Sequence, residues 1–132
     1  MPDNTYEPKI YLTPNGNRQV FKDGAYRLRS VNAAVTAAGA DLAGATALTA
    51  EINVVTNAND ALGVKLPVAE VGMVIIVKTT YAGKNLIVYP ATSGAQINAL
   101  GAGNAIAMDD VTCCAFVAVS ATLWYTLPLL PS

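Results

Sequence analysis

The sequence predicts an all-β fold: an antiparallel β-sandwich or barrel-like (jelly-roll-like) domain preceded by an extended N-terminal arm. Three observations point there. Short runs rich in Val, Ile, Thr and Tyr are separated at close intervals by Gly, Pro, Asn and Asp, the usual punctuation between strands. The longer apolar period of helices is missing beyond residue 45. Pro67 and Pro90 fall directly after apolar runs, where the loss of a backbone donor ends a strand.

Residues 1–30 come first. Pro2, Pro8 and Pro14, followed by Asn15-Gly16-Asn17 and Asp23-Gly24, argue for extended pieces joined by turns and against a helix. Tyr6, Ile10, Tyr11, Val20, Phe21, Tyr26 and Leu28 lie between the turns, more large apolar groups than a merely solvated tail needs. Two readings follow: an arm that docks on another protein, or a hairpin packed on this chain's own core. The arm reading takes Tyr6, Ile10, Tyr11, Arg18, Phe21, Arg27 and Arg29 as its docking residues. Residues 31–44 are Ala- and Gly-rich and read as a connector, with at most a short helix over 31–38. The expected division is therefore residues 1–44 as arm and connector, and residues 45–132 as the β domain.

Within that domain the first strand is expected inside residues 48–58 and the second in 61–66, stopped by Pro67. Residues 73–80 form the longest Val/Ile run, and residues 82–85 read as a short hairpin connection into Leu86-Ile87-Val88-Tyr89. Further strands are expected in residues 95–98, 105–108, 111–119 and 123–127. In two runs both alternating sets are apolar: Val74 and Ile76 against Ile75 and Val77, and Val111 to Val119 on both parities. A sheet with one wet face shows apolar and polar residues in alternation. Here one dry face serves the core, and the other needs a cover from the arm or from another subunit. Val74, Ile76, Val88, Phe116, Val117 and Trp124 are the residues assigned to the core and subunit interface.

Composition narrows the function. The 132 residues are 53% hydrophobic and 13% charged, against a usual charged share of about 25%. Eight basic and nine acidic residues leave a net charge of −1, too little cationic surface for nucleic acid or anionic lipid. The N-terminal residues are polar and do not form a secretory leader. The uncharged stretch from residue 111 to 132 is β-branched and broken by Thr, Ser and Pro, so strands are expected there and not a membrane span. With no His there is no imidazole base and no nucleophile paired to one, and the chain reads as non-catalytic, with no cofactor or metal.

The remaining candidates have plainer readings. Asp109-Asp110 is a turn former ahead of a strand, with no third acidic cluster to complete a calcium shell. Gly101-Ala102-Gly103-Asn104 lacks the lysine and the strand-to-helix setting of a phosphate loop. Cys113 and Cys114 are adjacent in a strand, point to opposite faces and do not bridge; both are expected to be buried thiols. Tyr81, Tyr89, Trp124 and Tyr125 are expected in core and interface, the alternative being a sugar platform.

From Ala47-Leu48-Thr49 onward the chain resembles a module common in tailed-phage virion proteins: capsid decoration proteins, head fibres and tail fibres. The resemblance is carried by Ile52, Val55 and Thr56, by Val64-Lys65-Leu66-Pro67, and by Val71-Gly72 before the Val/Ile strand. It continues through Leu86-Ile87-Val88-Tyr89-Pro90-Ala91, Ser93-Gly94-Ala95-Gln96-Ile97-Asn98 and Leu100-Gly101 to Phe116 and Leu123-Trp124-Tyr125. It implies a structural module, usually trimeric, that attaches to a particle through its N-terminal part. Together with the low charge, the dry faces and the arm, it points to a capsid decoration (cement) protein. That protein is made in the host cytoplasm and sits on the outer capsid surface of the virion as a homotrimer, bridging phage major capsid protein subunits. The alternative is a head-fibre, tail-fibre or spike module that binds host surface glycan through groups near residues 96–103.

Overall fold

The computed structural model describes residues 10–14, 16, 19–21, 27–128 and 130, with residues 10, 11, 20 and 21 described by their backbone. Among them there is no helix, and twelve strands follow in order: β1 (Ile10–Leu12), β2 (Gln19–Phe21), β3 (Val31–Thr36), β4 (Thr46–Ala47), β5 (Ile52–Thr56), β6 (Gly63–Lys65), β7 (Val74–Thr79), β8 (Leu86–Tyr89), β9 (Gln96–Ile97), β10 (Ile106–Met108), β11 (Cys113–Ser120) and β12 (Leu123–Leu127). They form a two-stranded sheet of β1 and β2, a four-stranded sheet in the order β10-β8-β6-β4, and a six-stranded sheet in the order β3-β5-β7-β11-β12-β9.

The all-β class holds, but the sheets are mixed, which corrects the expectation of an antiparallel domain. From β3 to β8 the chain alternates between the two larger sheets and lays each new strand parallel to the one before it. Val31 lies opposite Ile52, which lies opposite Ile76; in the other sheet Thr46 lies opposite Val64, which lies opposite Val88. This is a solenoid-like winding, in which each coil buries its apolar side only against the coil beside it. The winding then reverses. Strand β10 runs antiparallel to β8, β11 antiparallel to β7, and β12 antiparallel to β11, while β9 pairs with β12 in parallel.

Two further expectations change with this topology. Residues 82–85 do not close a hairpin, because β7 and β8 belong to different sheets and the segment carries the chain from one to the other. Residues 31–36 are a strand, neither a helix nor a connector, and Val35 and Ala37 are buried in the core. Ala33 and Ala34 have little strand preference of their own. The segment is extended because β5 supplies a ladder for it, and a register shift between Asn32 and Val35 absorbs the poor fit.

The inner faces of the two larger sheets meet in a single core. Val55, Val77, Phe116 and Trp124 from one sheet and Val64, Leu86, Val88 and Met108 from the other have no exposed surface. Burial of each such side chain contributes about 1.5 to 3 kcal/mol. The short edge strands add little themselves, so the stability of the coil ends depends on this core.

Candidate assembly surface

Strict alternation sends every second side chain of the six-stranded sheet away from the core. In β7 the inner set is Ile75, Val77 and Thr79 and the outer set Val74, Ile76 and Lys78; in β11 Cys114, Phe116 and Ala118 face inward and Cys113, Ala115 and Val117 outward. The register aligns these outer sets into rows. Val31, Ile52, Ile76, Ala115 and Leu127 stand opposite one another across five strands, an unbroken apolar row. Val74, Val117 and Tyr125 form the next, and Val54, Lys78 and Cys113 the one on the other side. The central members Ile52, Val74, Ile76, Ala115 and Val117 are partly buried, while Val31 is 59% exposed, Tyr125 46% and Leu127 62%. Lys78 is the one charged side chain in these rows, and its Nζ folds aside to donate to the Val111 carbonyl at 2.7 Å.

The outer face of the four-stranded sheet is different. There the Tyr89 hydroxyl donates to the Ala40 carbonyl at 2.9 Å, and Lys65 Nζ donates to the Leu42 carbonyl at 3.5 Å. Residues 39–44 are thereby drawn over that sheet. The Tyr89 ring lies so close to Gly63 that a Cβ there would come within 2.7 Å of a ring carbon. Asp41 shapes the segment by accepting from the Gly44 N–H at 2.7 Å. The chain covers one of its two outer faces with its own loop, while the apolar rows of the other remain open among the described residues.

The residues assigned to core and interface divide accordingly. Val88, Phe116 and Trp124 point into the core, whereas Val74, Ile76 and Val117 lie on the open face. Of the arm residues, Tyr6 and Arg18 and the side chains of Ile10, Tyr11 and Phe21 lie outside the described residues. The backbone of β1 and β2 pairs as an antiparallel hairpin with Ile10 opposite Phe21. Arg27 and Arg29 are both held by this chain's own Glu51, each at 3.2 Å. Ser30 fastens the same segment by accepting the Glu51 N–H on its hydroxyl and the Ile52 N–H on its carbonyl, each at 2.9 Å. These groups edge a cleft of about 480 Å³ whose other walls include Leu48, Pro67, Glu70, Met73 and Ile75.

The four aromatic groups considered for a sugar platform do not converge. Trp124 is inside the core, Tyr89 is on the loop-covered sheet, Tyr125 is on the open face and Tyr81 is in the turn after β7. The amides near residue 98 work internally: Asn98 is buried and bonded to Thr126 through both side-chain atoms. Asp110 accepts the Gly83 N–H at 2.7 Å, which joins two turns. Cys114 is buried and Cys113 exposed, both as free thiols, which corrects the expectation that both are buried. Burial pushes the Cys114 thiol up; a backbone hydrogen bond at Leu127 opposes this and the adjacent Cys113 adds to it.

Two of these features have different visibility in the sequence. The open face was signalled by the double apolar alternation in residues 74–77 and 111–119. The cover supplied by Tyr89 and residues 39–44 had no local signal, since it joins groups far apart in the chain. No helix among the described residues is long and apolar enough to cross a membrane. Comparison with protein-family models, with curated proteins and with solved structures gave no match.

Proposed function

We propose that this chain is a capsid decoration, or cement, protein of a tailed phage, which sits as a homotrimer on the outer capsid surface and bridges major capsid protein subunits. The observation that supports this most is the open apolar face of the six-stranded sheet. Its rows carry almost no charge, which suits a surface covered by protein. The two-layered, coiled body is read as a sandwich-like platform from which the N-terminal arm reaches the shell.

The mechanism is energetic. Apolar area contributes about 25 cal/mol per Å² on burial, before the cost of ordering the arm. Three arms on one body bind with a high effective concentration once the first has engaged. The scattered aromatics and the internal use of Asn98 weigh against the fibre reading, which needs exposed groups that converge on glycan.

The test mixes full-length protein, and protein lacking residues 1–26, with undecorated shells. Full-length protein should sediment with the shells and raise their resistance to heat, while the truncated form should bind weakly. Absence of binding by the full-length protein overturns the decoration role, and equal binding by both forms removes the arm from it.

A further inference from the structure

The decoration reading sends the arm to the shell, and we infer that the cleft at the arm root receives in return an extended segment of the capsid subunit. That segment carries a bulky apolar side chain with an acidic residue on one side and a basic residue on the other. The identity of the partner rests on the decoration reading, whereas the chemistry of the segment rests on the cleft alone.

The winding of the chain builds the cleft. Residues 48–51 lead from β4 into β5, and residues 66–73 make the same turn one coil later, from β6 into β7. The first corner has four residues and the second eight. Added length at one corner of a coiled fold becomes a loop on that side, often the binding side. The longer corner here carries Val68 at 67% exposure and Val71 at 74%, and Val71 lines the cleft. Leu48 and Ile75, both buried, and Met73, partly buried, give the cleft an apolar floor at the mouth of the core. Its volume of about 480 Å³ is ample for one large anchoring side chain.

Charge is graded along the order of the strands. Arg27 and Arg29 stand before β3 and share the single carboxylate of Glu51, which stands before β5, so this flank keeps one positive charge uncompensated. Glu70 stands before β7, exposed and in no ion pair with a described residue. The two flanks are two strand spacings apart, about 10 Å. Side chains of an extended peptide recur on one face at every second residue. Acid, apolar group and base at alternate positions therefore span about 13 Å, and long side chains take up the difference. Such a segment meets the Arg flank, the floor and Glu70 together. A segment of one charge sign meets its own sign at one end.

The test uses the full chain with three acetylated and amidated peptides, Asp-Gly-Phe-Gly-Lys, Lys-Gly-Phe-Gly-Lys and Asp-Gly-Gly-Gly-Lys, followed by NMR, and then with undecorated shells. The first peptide should shift the amides of residues 48–51 and 67–73 and bind about fivefold more tightly than the second, with the gap closing at 1 M NaCl. The third should not saturate. Arg27→Glu should invert the order of the first two peptides and weaken binding to shells at least fivefold, while Arg27→Lys preserves both. Equal affinity for the three peptides, shifts elsewhere in the chain, or undiminished shell binding by Arg27→Glu overturns the inference. Shell binding by the parent with an indifferent cleft would leave the decoration role standing without it. The expected peptide preference with no shell binding by the parent would sink the decoration role and the capsid partner, and uphold the chemistry of the cleft.

Discussion

Asn98 completes the sheet where β9 ends: its Oδ1 accepts the Thr126 N–H at 3.1 Å and its Nδ2 donates to the Thr126 hydroxyl at 3.0 Å. The backbone holds Asn98 at φ 51, a left-handed conformation that Asn tolerates better than most residues. The side chain thus replaces ladder bonds that the two-residue strand β9 is too short to make. Removing it leaves a buried N–H and hydroxyl short of partners. Asn98→Ala should cost about 1 to 3 kcal/mol in a denaturant titration. A loss within the error of the titration would show that water takes over the role.

Gly39 and Gly44 touch backbone to backbone. A Cβ on Gly39 would lie 2.2 Å from the Gly44 carbonyl carbon, and its φ of 70 is itself unfavourable for a side chain. Gly39→Ala is therefore expected to destabilise by more than about 2 kcal/mol, combining overlap with strain. Gly94 has open space around it, so Gly94→Ala should lie within about 0.5 kcal/mol of the parent. Equal effects of the two substitutions in thermal unfolding would contradict the close approach.

The Cys114 thiol stays protonated in the fold at pH values where the unfolded chain has released that proton, because burial raises its pKa above 9.0. The unfolded state then binds fewer protons than the native one, so stability falls as pH rises. The contribution is complete below about pH 9 and is lost as the pH climbs through the native value. Denaturation midpoints measured from pH 7 to pH 11 should decline more steeply for the parent than for Cys114→Ala, which loses packing at every pH. Parallel profiles would rule out the thiol as the source.

Glu51 holds two guanidinium groups, with Arg27 more than half exposed. Exposed ion pairs contribute little and are screened by salt. Glu51→Gln should therefore cost less than about 1 kcal/mol at low salt, with the difference narrowing at 1 M NaCl. A larger, salt-independent loss would mean that the pair is structurally indispensable to the segment at residues 27–30.

The strand content was largely legible in the sequence. Residues 123–127 were marked by their flanking turn and occur as β12 with the same bounds. The run at 73–80 contains β7, and the run at 111–119 covers β11 except its last residue, Ser120, since β-branched side chains and turn residues act locally. The direction of pairing was not legible. A four-residue link such as 82–85 can close a hairpin or cross between sheets, and only the partners at each end distinguish the two. Residues 31–36 were hidden for the same reason, because their small side chains become a strand only beside β5.

The sequence by itself determined that the chain is all-β, short of charge and more apolar on its strands than one core requires, because alternation and composition are properties of neighbouring residues. Only the tertiary structure decided which excess is left open. Tyr89 meets Ala40 across the chain and draws a loop over the four-stranded sheet, whereas the coils align Val31, Ile52, Ile76, Ala115 and Leu127 into a row left open among the described residues. Rows and covers are made by residues distant in sequence, and their positions follow from strand register, which a linear pattern does not contain.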